Sequence, residues 1–246
     1  MTGSVPSIAF TAAGKHLTLR FASEQDHIAR TIEATGGFYE AELLADIRSR
    51  LFFPECAVDV GAHVGNHTLY FSKILGLKTI AFEPNPQTFA LLAANIRENG
   101  VESLCRLRHA AVGAVAGRVR AVAASADNSG MARVETDAGG DTPLVSLDED
   151  LEHDARVDVI KIDVEGWELD VLRGAARTIE KHRPLIYVEA SAATFPALST
   201  YLLAGGYVCW RRFNATPTFL FLPDERLGAS NTQTTETAVE RPARPA

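Results

Sequence analysis

The spacing of apolar and polar positions divides the chain into regions of different period. Residues 4–21 read as short strands around a Gly14-Lys15 turn, and two helical patterns follow. Ile28 and Ile32 lie one turn apart. Leu43, Leu44, Ile47 and Leu51 form an apolar stripe that Pro54 closes. From Cys56 onward short apolar strands alternate with amphipathic helices, the pattern of a parallel sheet covered by helices. CAVDV, KTIAF, VDVIKI and PLIYVEA are the predicted strands, with helices over 66–75, 87–99, 167–181 and 195–204. Leu104 to Arg108 forms a further strand candidate.

Between His109 and Asp150 the alternation breaks, and RVRAV and GMARVE read as a strand pair joined through SADNSG. YVCWRRF and TPTFLFL then finish the pattern with no room for a helix between them. A parallel sheet ending in an antiparallel hairpin departs from a dinucleotide-binding fold, in which strand–helix alternation continues. The pattern divides the chain into residues 1–54, strands and helices expected to form a substrate or cap region, and a main α/β domain over 55–227. Residues 228–246 are poor in large apolar side chains and are expected to be a disordered tail.

Composition narrows the classes. The 246 residues, 46% hydrophobic and 22% charged, suit a globular protein with a substantial core. Lys plus Arg total 24 against 31 Asp plus Glu, a net charge of -7, which disfavours nucleic acid as a partner because phosphate binding wants a basic surplus. Cys56, Cys105 and Cys209 lack metal-ligand spacing and are expected as buried reduced thiols. No apolar run approaches the roughly 20 residues of a membrane span. The first residues lack the charged and apolar regions of a secretory signal, so a cytoplasmic location is expected. Oligomeric state has no signature here.

Candidate chemistry begins after the first long strand, at Asp59-Val60-Gly61-Ala62-His63-Val64-Gly65-Asn66. Glycines at such a turn let a ligand approach the backbone, and the helix start presents free N–H groups. The spacing is G-x-x-x-G, so the dinucleotide fingerprint G-x-G-x-x-G is missing. Glu83-Pro84-Asn85 ends the second strand, where an acid can accept two hydrogen bonds from a ribose diol. Further on, Lys161 and Asp163 share one strand face. A lysine in so apolar a strand needs an acidic partner, and Asp59 on the adjacent strand is the expected one. Glu165 and Glu168 follow, suited either to capping the next helix or to binding hydroxyls. Glu189 ends the next strand near Asp163; two such carboxylates can hold Mg²⁺, bind substrate or share a proton. No metal is assigned. His16, His27, His153 and His182 are expected at the surface, Arg211-Arg212 at a solvated strand end, and Trp210 in the core.

VDVGAHVGNHTLYF, AFEPNP, HAAVG and, above all, VDVIKIDVEGWELDVLRGA resemble the FkbM-type family of S-adenosylmethionine-dependent methyltransferases, over about residues 37–190. The resemblance implies a Rossmann-like class I methyltransferase fold: a mostly parallel seven-stranded sheet with the terminal hairpin, preceded here by helices and short strands. It implies S-adenosylmethionine as cofactor of the 55–227 domain. Asp59, Gly61, Ala62 and Gly65 would lie under its methionine part, with Asn66 and His67 near its carboxylate. Glu83 would hold the ribose, Pro84 and Asn85 would flank the adenine, and Ala111 and Val112 would cover its other face. Asp163 and, more loosely, Asn128 would complete the cofactor site. His63 stands where the family often has Asn.

The activity so implied is O-methylation of a hydroxyl on a sugar or secondary metabolite, with a small-molecule or glycan acceptor. Asp163, Glu165 and His67 are the candidates for base or acceptor positioning. N-methylation, a non-catalytic S-adenosylmethionine-binding protein and an NAD-linked oxidoreductase are the alternatives. The missing fingerprint and the final strand pair argue against the last.

Overall fold

The computed structural model describes residues 5–122, 133–137, 139–154 and 156–229. Asn128, the SADNSG segment and residues 230–246 lie outside the described residues. An antiparallel hairpin opens the structure, β1 (Ser7–Ala12) and β2 (Lys15–Arg20), followed by α1 (His27–Thr35) and α2 (Ala41–Arg50). Asp26 caps α1, its Oδ1 accepting from the Ile28 and Ala29 N–H groups at 2.9 and 3.1 Å. The alternating region supplies β3 (Cys56–Val60), α3 (Asn66–Leu69), β4 (Lys78–Phe82), α4 (Pro86–Glu98) and β5 (Cys105–Arg108). Then come β6 (Ala111–Val112), β7 (Gly117–Val122), β8 (Arg133–Thr136), β9 (Thr142–Val145) and α5 (Leu147–Asp150). The chain returns through β10 (Val159–Ile162), α6 (Glu168–Arg173), α7 (Ala176–His182), β11 (Leu185–Glu189) and α8 (Phe195–Ala204). It closes with β12 (Tyr207–Phe213), β13 (Thr218–Pro223) and α9 (Glu225–Ala229).

Seven strands form the main sheet in the order β12-β13-β11-β10-β3-β4-β5. β13 runs antiparallel to both neighbours, and every other adjacent pair is parallel. This is the sheet expected from the sequence, terminal hairpin included. Its central strands are buried on both faces, which is why they read as continuous apolar runs. One face packs Val58, Val60, Phe82, Ile160 and Val188 with α6, α7 and α8. The other packs Ala57, Ala81, Tyr187 and Leu220 with Phe10, Leu19, Ile32, Leu43 and Ile47 of the N-terminal elements.

α4 carries a second link to that segment. Asn95 accepts from the Arg20 N–H at 2.8 Å and donates to the Arg20 carbonyl at 3.1 Å, while Asn99 does the same for Thr18 at 3.1 and 2.7 Å. Four residues of helix and two of strand both advance about 6 Å, so two asparagines one turn apart continue the hydrogen-bond ladder of β2. The Asn95 amide also donates to the Val64 carbonyl at 2.8 Å, inside the glycine loop.

Four expectations need correction. The 109–150 region forms a second, four-stranded sheet, β6-β9-β7-β8, of which only the β7–β8 pair was visible in the sequence. The helix predicted over 66–75 widens after Leu69, where the Leu75 N–H reaches the Tyr70 carbonyl five residues back at 3.0 Å. The helix predicted over 167–181 is broken in two. Asp148 intrudes there, its N–H bonded to the Gly174 carbonyl at 2.8 Å and its carboxylate accepting from the Arg177 and Thr178 N–H groups at 3.0 and 2.8 Å. Trp210, expected in the core, is 52% exposed, with the Arg50 guanidinium 5.9 Å from its ring centroid. The three cysteines are free; Cys56 is buried and the other two half-buried.

Candidate functional site

Parallel strands present their carboxyl ends on one edge, and there β3, β4 and β10 open a cleft. Val60, Phe82, Pro84, Ala111, Val112 and Ile28 give it apolar walls, and Gly61, His63, Glu83, Asp163 and Glu165 line it as well. A cleft with apolar walls and few polar groups has the lining expected of a small-molecule site.

The glycine loop forms one wall. Gly61 has φ +81°, and a Cβ there would stand 1.8 Å from the Asp163 carbonyl oxygen. The N–H groups of Gly61 and Ala62 both donate to the Phe82 carbonyl, at 3.0 and 2.9 Å, which ties the end of β3 to that of β4. Glu83 stands at this junction, 6% exposed. Its Oε2 accepts from the His63 N–H at 2.9 Å and its Oε1 from the Asn85 N–H at 2.8 Å. Burial pushes its carboxyl up to about 7 against the pull of those two N–H groups, with Asp59 and Asp163 adding to the rise. Burial likewise lowers the His63 imidazole, which therefore stays neutral at physiological pH.

Asn85 caps α4, its Oδ1 accepting from the Gln87 and Thr88 N–H groups at 2.9 and 3.0 Å. The Pro84 carbonyl is 3.1 Å from Nε2 of His109. Ala111 and Val112, expected in a loop, form a two-residue strand against β9 that holds them at the cleft wall. Asp59, Ala62, Gly65, Asn66, Asn85 and His67 are not among the residues lining the cleft. Asp59 is fully buried behind it and accepts from the Thr68 hydroxyl at 2.6 Å. Asn66 spends its side-chain amide on the backbone of Tyr39, at 3.1 and 3.2 Å. His67 lies 2.9 Å from the Glu40 carboxylate.

Lys161, 2% exposed, has the acidic partner its burial requires, but the partner is Asp163, at 2.7 Å, in place of the expected Asp59. Two residues along a strand share a face, so the lysine reaches its own strand end. Asp59, its neighbour across β3, adds to the field that, with Asp163 and Glu40, holds the ammonium protonated against burial. Glu40 itself stays below the usual carboxylate range: burial opposes this, and His67 and Lys161 outweigh it. Sequence reasoning missed Glu40, which comes to His67 and to the Asn214 amide from a distant part of the chain. At the mouth, carboxylate oxygens of Asp163, Glu165 and Glu189 lie within 4.8 Å of one another. Glu168 accepts from the Gly166 N–H at 2.7 Å, closing the turn before α6.

The strand order, the reversed β13 and a cleft at the β3–β4 junction define a class I methyltransferase fold. The chain belongs to the FkbM methyltransferase family: the Methyltransferase FkbM domain matches residues 59–209, which bears out the resemblance carried by KIDVEGWE and VLRGA. It is 30% identical over 148 residues to Hexuronic acid methyltransferase AglP of Haloferax volcanii, covering 59% of this chain and 60% of that protein. This chain therefore spans less than two thirds of that relative's length. The crystal structure of Methyltransferase FkbM from Methylobacillus flagellatus KT matches with a TM-score of 0.54 at 21% identity, over 71% of this chain and 45% of that one. Among the described residues no helix is long and apolar enough to cross a membrane.

Proposed function

We propose that this chain transfers a methyl group from S-adenosylmethionine to a hydroxyl of a sugar or secondary metabolite. The observation that carries this reading is Glu83, a buried carboxylate whose two oxygens are fixed by backbone N–H groups at the base of an apolar cleft, beside the glycine loop. That donor set fits the cofactor. Glu83 would take the ribose hydroxyls, Pro84, Ala111 and Val112 the adenine faces, and Gly61 the methionine part. S-adenosylmethionine brings a methyl group already activated on sulfur, so the chain's task is in-line placement of the acceptor and removal of a proton.

Asp163 and Glu165 line the cleft where an acceptor would enter, and carboxylates accept hydrogen bonds from hydroxyls. The similarity to a hexuronic acid methyltransferase supports a sugar as that acceptor. Residues 5–54 would serve as a cap, since Ile28 of α1 reaches the cleft. The test is isotope-labelled S-adenosylmethionine offered with neutral glycosides, hexuronides, polyketide alcohols and amines. Label on a glycoside oxygen is the expected product. Label confined to nitrogen or carbon would overturn the hydroxyl assignment.

Glu83→Ala is expected to weaken S-adenosylmethionine binding by at least about 100-fold, since two hydrogen bonds to a charged group are worth about 3 kcal/mol or more. Calorimetry checks it. In the unaltered protein affinity should rise about tenfold from pH 6 to pH 8, because the ionised fraction of a carboxyl titrating near 7 rises by that factor. The Glu83→Ala variant should show no such slope.

A further inference from the structure

The acidic groups about the cleft are not equivalent. Asp59 accepts from Thr68, Asp163 from Lys161, Glu168 from Gly166, and Glu83 from His63 and Asn85. Glu189 differs. It ends β11, half-buried, and among the described residues no hydrogen bond or ion pair reaches its carboxyl. A carboxylate oxygen of Glu189 nevertheless lies within 4.8 Å of those of Asp163 and Glu165, both of which line the cleft. Directly across the antiparallel ladder stands Thr218, whose side chain therefore projects from the same sheet face. Thr218 is 1% exposed, and among the described residues its hydroxyl has no hydrogen-bond partner. An unspent carboxylate and an unspent hydroxyl thus sit side by side next to the cleft-lining Asp163.

We propose that Glu189 is the proton acceptor for the methyl-accepting hydroxyl, an inference that rests on the methyltransferase reading above. The acceptor oxygen forms its bond to the methyl carbon as the carbon–sulfur bond breaks, the bonding pair leaving with sulfur. The hydroxyl proton passes to a Glu189 carboxylate oxygen and from there to water. Asp163 is the less suited neighbour, because the Lys161 ammonium already occupies one of its oxygens.

The charged groups facing Glu189 are the carboxylates of Asp163, Glu165 and Glu40 and the ammonium of Lys161, with the Tyr39 phenol beside them. Burial, then Asp163, push the Glu189 carboxyl up to about 8; Lys161 opposes them, and Glu165 and Glu40 add to the rise. A base that titrates close to working pH takes a hydroxyl proton better than an ordinary carboxylate does.

The experiment uses the full chain, S-adenosylmethionine and the glycoside labelled in the panel above, from pH 6 to 9.5. Glu189→Gln is expected to lower kcat by about 10²- to 10⁴-fold, the usual share of general base catalysis. Its KM for the glycoside, its S-adenosylmethionine affinity by calorimetry and its melting temperature should stay close to those of the parent. The parent's kcat should climb with pH through about 8, the climb should vanish in Glu189→Gln, and Glu189→Asp should restore part of the rate. A Glu189→Gln variant that turns over at nearly the parental rate, keeps the climb, or no longer binds S-adenosylmethionine overturns the proposal and leaves the hydroxyl reading standing. Turnover abolished by a chelator and restored by Mg²⁺ also overturns it, by assigning the three carboxylates to a cation. If the unaltered chain binds S-adenosylmethionine but places label only on nitrogen or carbon, the hydroxyl reading fails first and takes this inference with it.

Discussion

Gly61→Ala should destabilise the protein by more than about 4 kcal/mol, in the range reserved for steric and core defects. The added methyl would stand 1.8 Å from the Asp163 carbonyl oxygen, at a φ of +81°. No rotamer relieves it, because both atoms belong to fixed backbone. The Asp163 N–H bonds the Val60 carbonyl at 3.0 Å, so any retreat would pull β10 from β3 at the cleft. Gly100→Ala is the control: its φ is +66°, but nothing lies within 4 Å of a Cβ there. It should cost only the left-handed backbone penalty, about 1–2 kcal/mol. Thermal melts of the two variants side by side measure the difference, and near-equal melting temperatures would remove Gly61 from its structural role.

Lys161→Met is expected to be nearly as damaging, at about 3–5 kcal/mol, the usual effect of leaving a buried charge without its partner. Methionine matches the stem of lysine but leaves Asp163 without its ammonium and weakens the field at Glu40. The defect should depend on pH in a definite direction. Glu40, held below its ordinary value in part by Lys161, contributes stability above its unfolded pKa and loses it as pH falls. In the variant that contribution shrinks, and protonation relieves the uncompensated carboxylates. The gap between variant and parent should therefore be widest near pH 8 and narrow toward pH 5, as read by denaturant titration. A gap independent of pH would mean that packing, and not charge, accounts for the loss.

Much of the fold was legible because its determinants are local. CAVDV, KTIAF and PLIYVEA are buried on both faces, and such strands announce themselves as unbroken apolar runs. The final hairpin was legible from the lack of residues for a helix. Gly61 and Glu83 were visible because each stands at the end of a recognisable strand. What escaped depends on partners far along the chain. Asn95 looks like any polar helix residue until it meets Arg20, 75 positions earlier. Asp148 splits a helix that begins 20 residues after it. Glu40 sits in a left-handed backbone conformation that no local pattern marks, yet it meets His67 at 2.9 Å and adds to the field around Lys161. Of the small sheet only β6 and β9 escaped: β6 has two residues, and β9, with Pro143 exposed, is not an unbroken apolar run.

The asparagine ladder makes the N-terminal hairpin part of the machinery it borders. A single amide, that of Asn95, grips the second strand of that hairpin with one hand and the glycine elbow with the other. A fragment begun at residue 55, close to where the family match starts, would strip Ala57, Ala81 and Leu92 of apolar cover and leave Asn95 without its Arg20 backbone partner. Such a fragment should come out of expression as insoluble material. On that expectation the family-matched region is not a detachable module, and the first fifty residues serve the cleft as scaffold, not as trim.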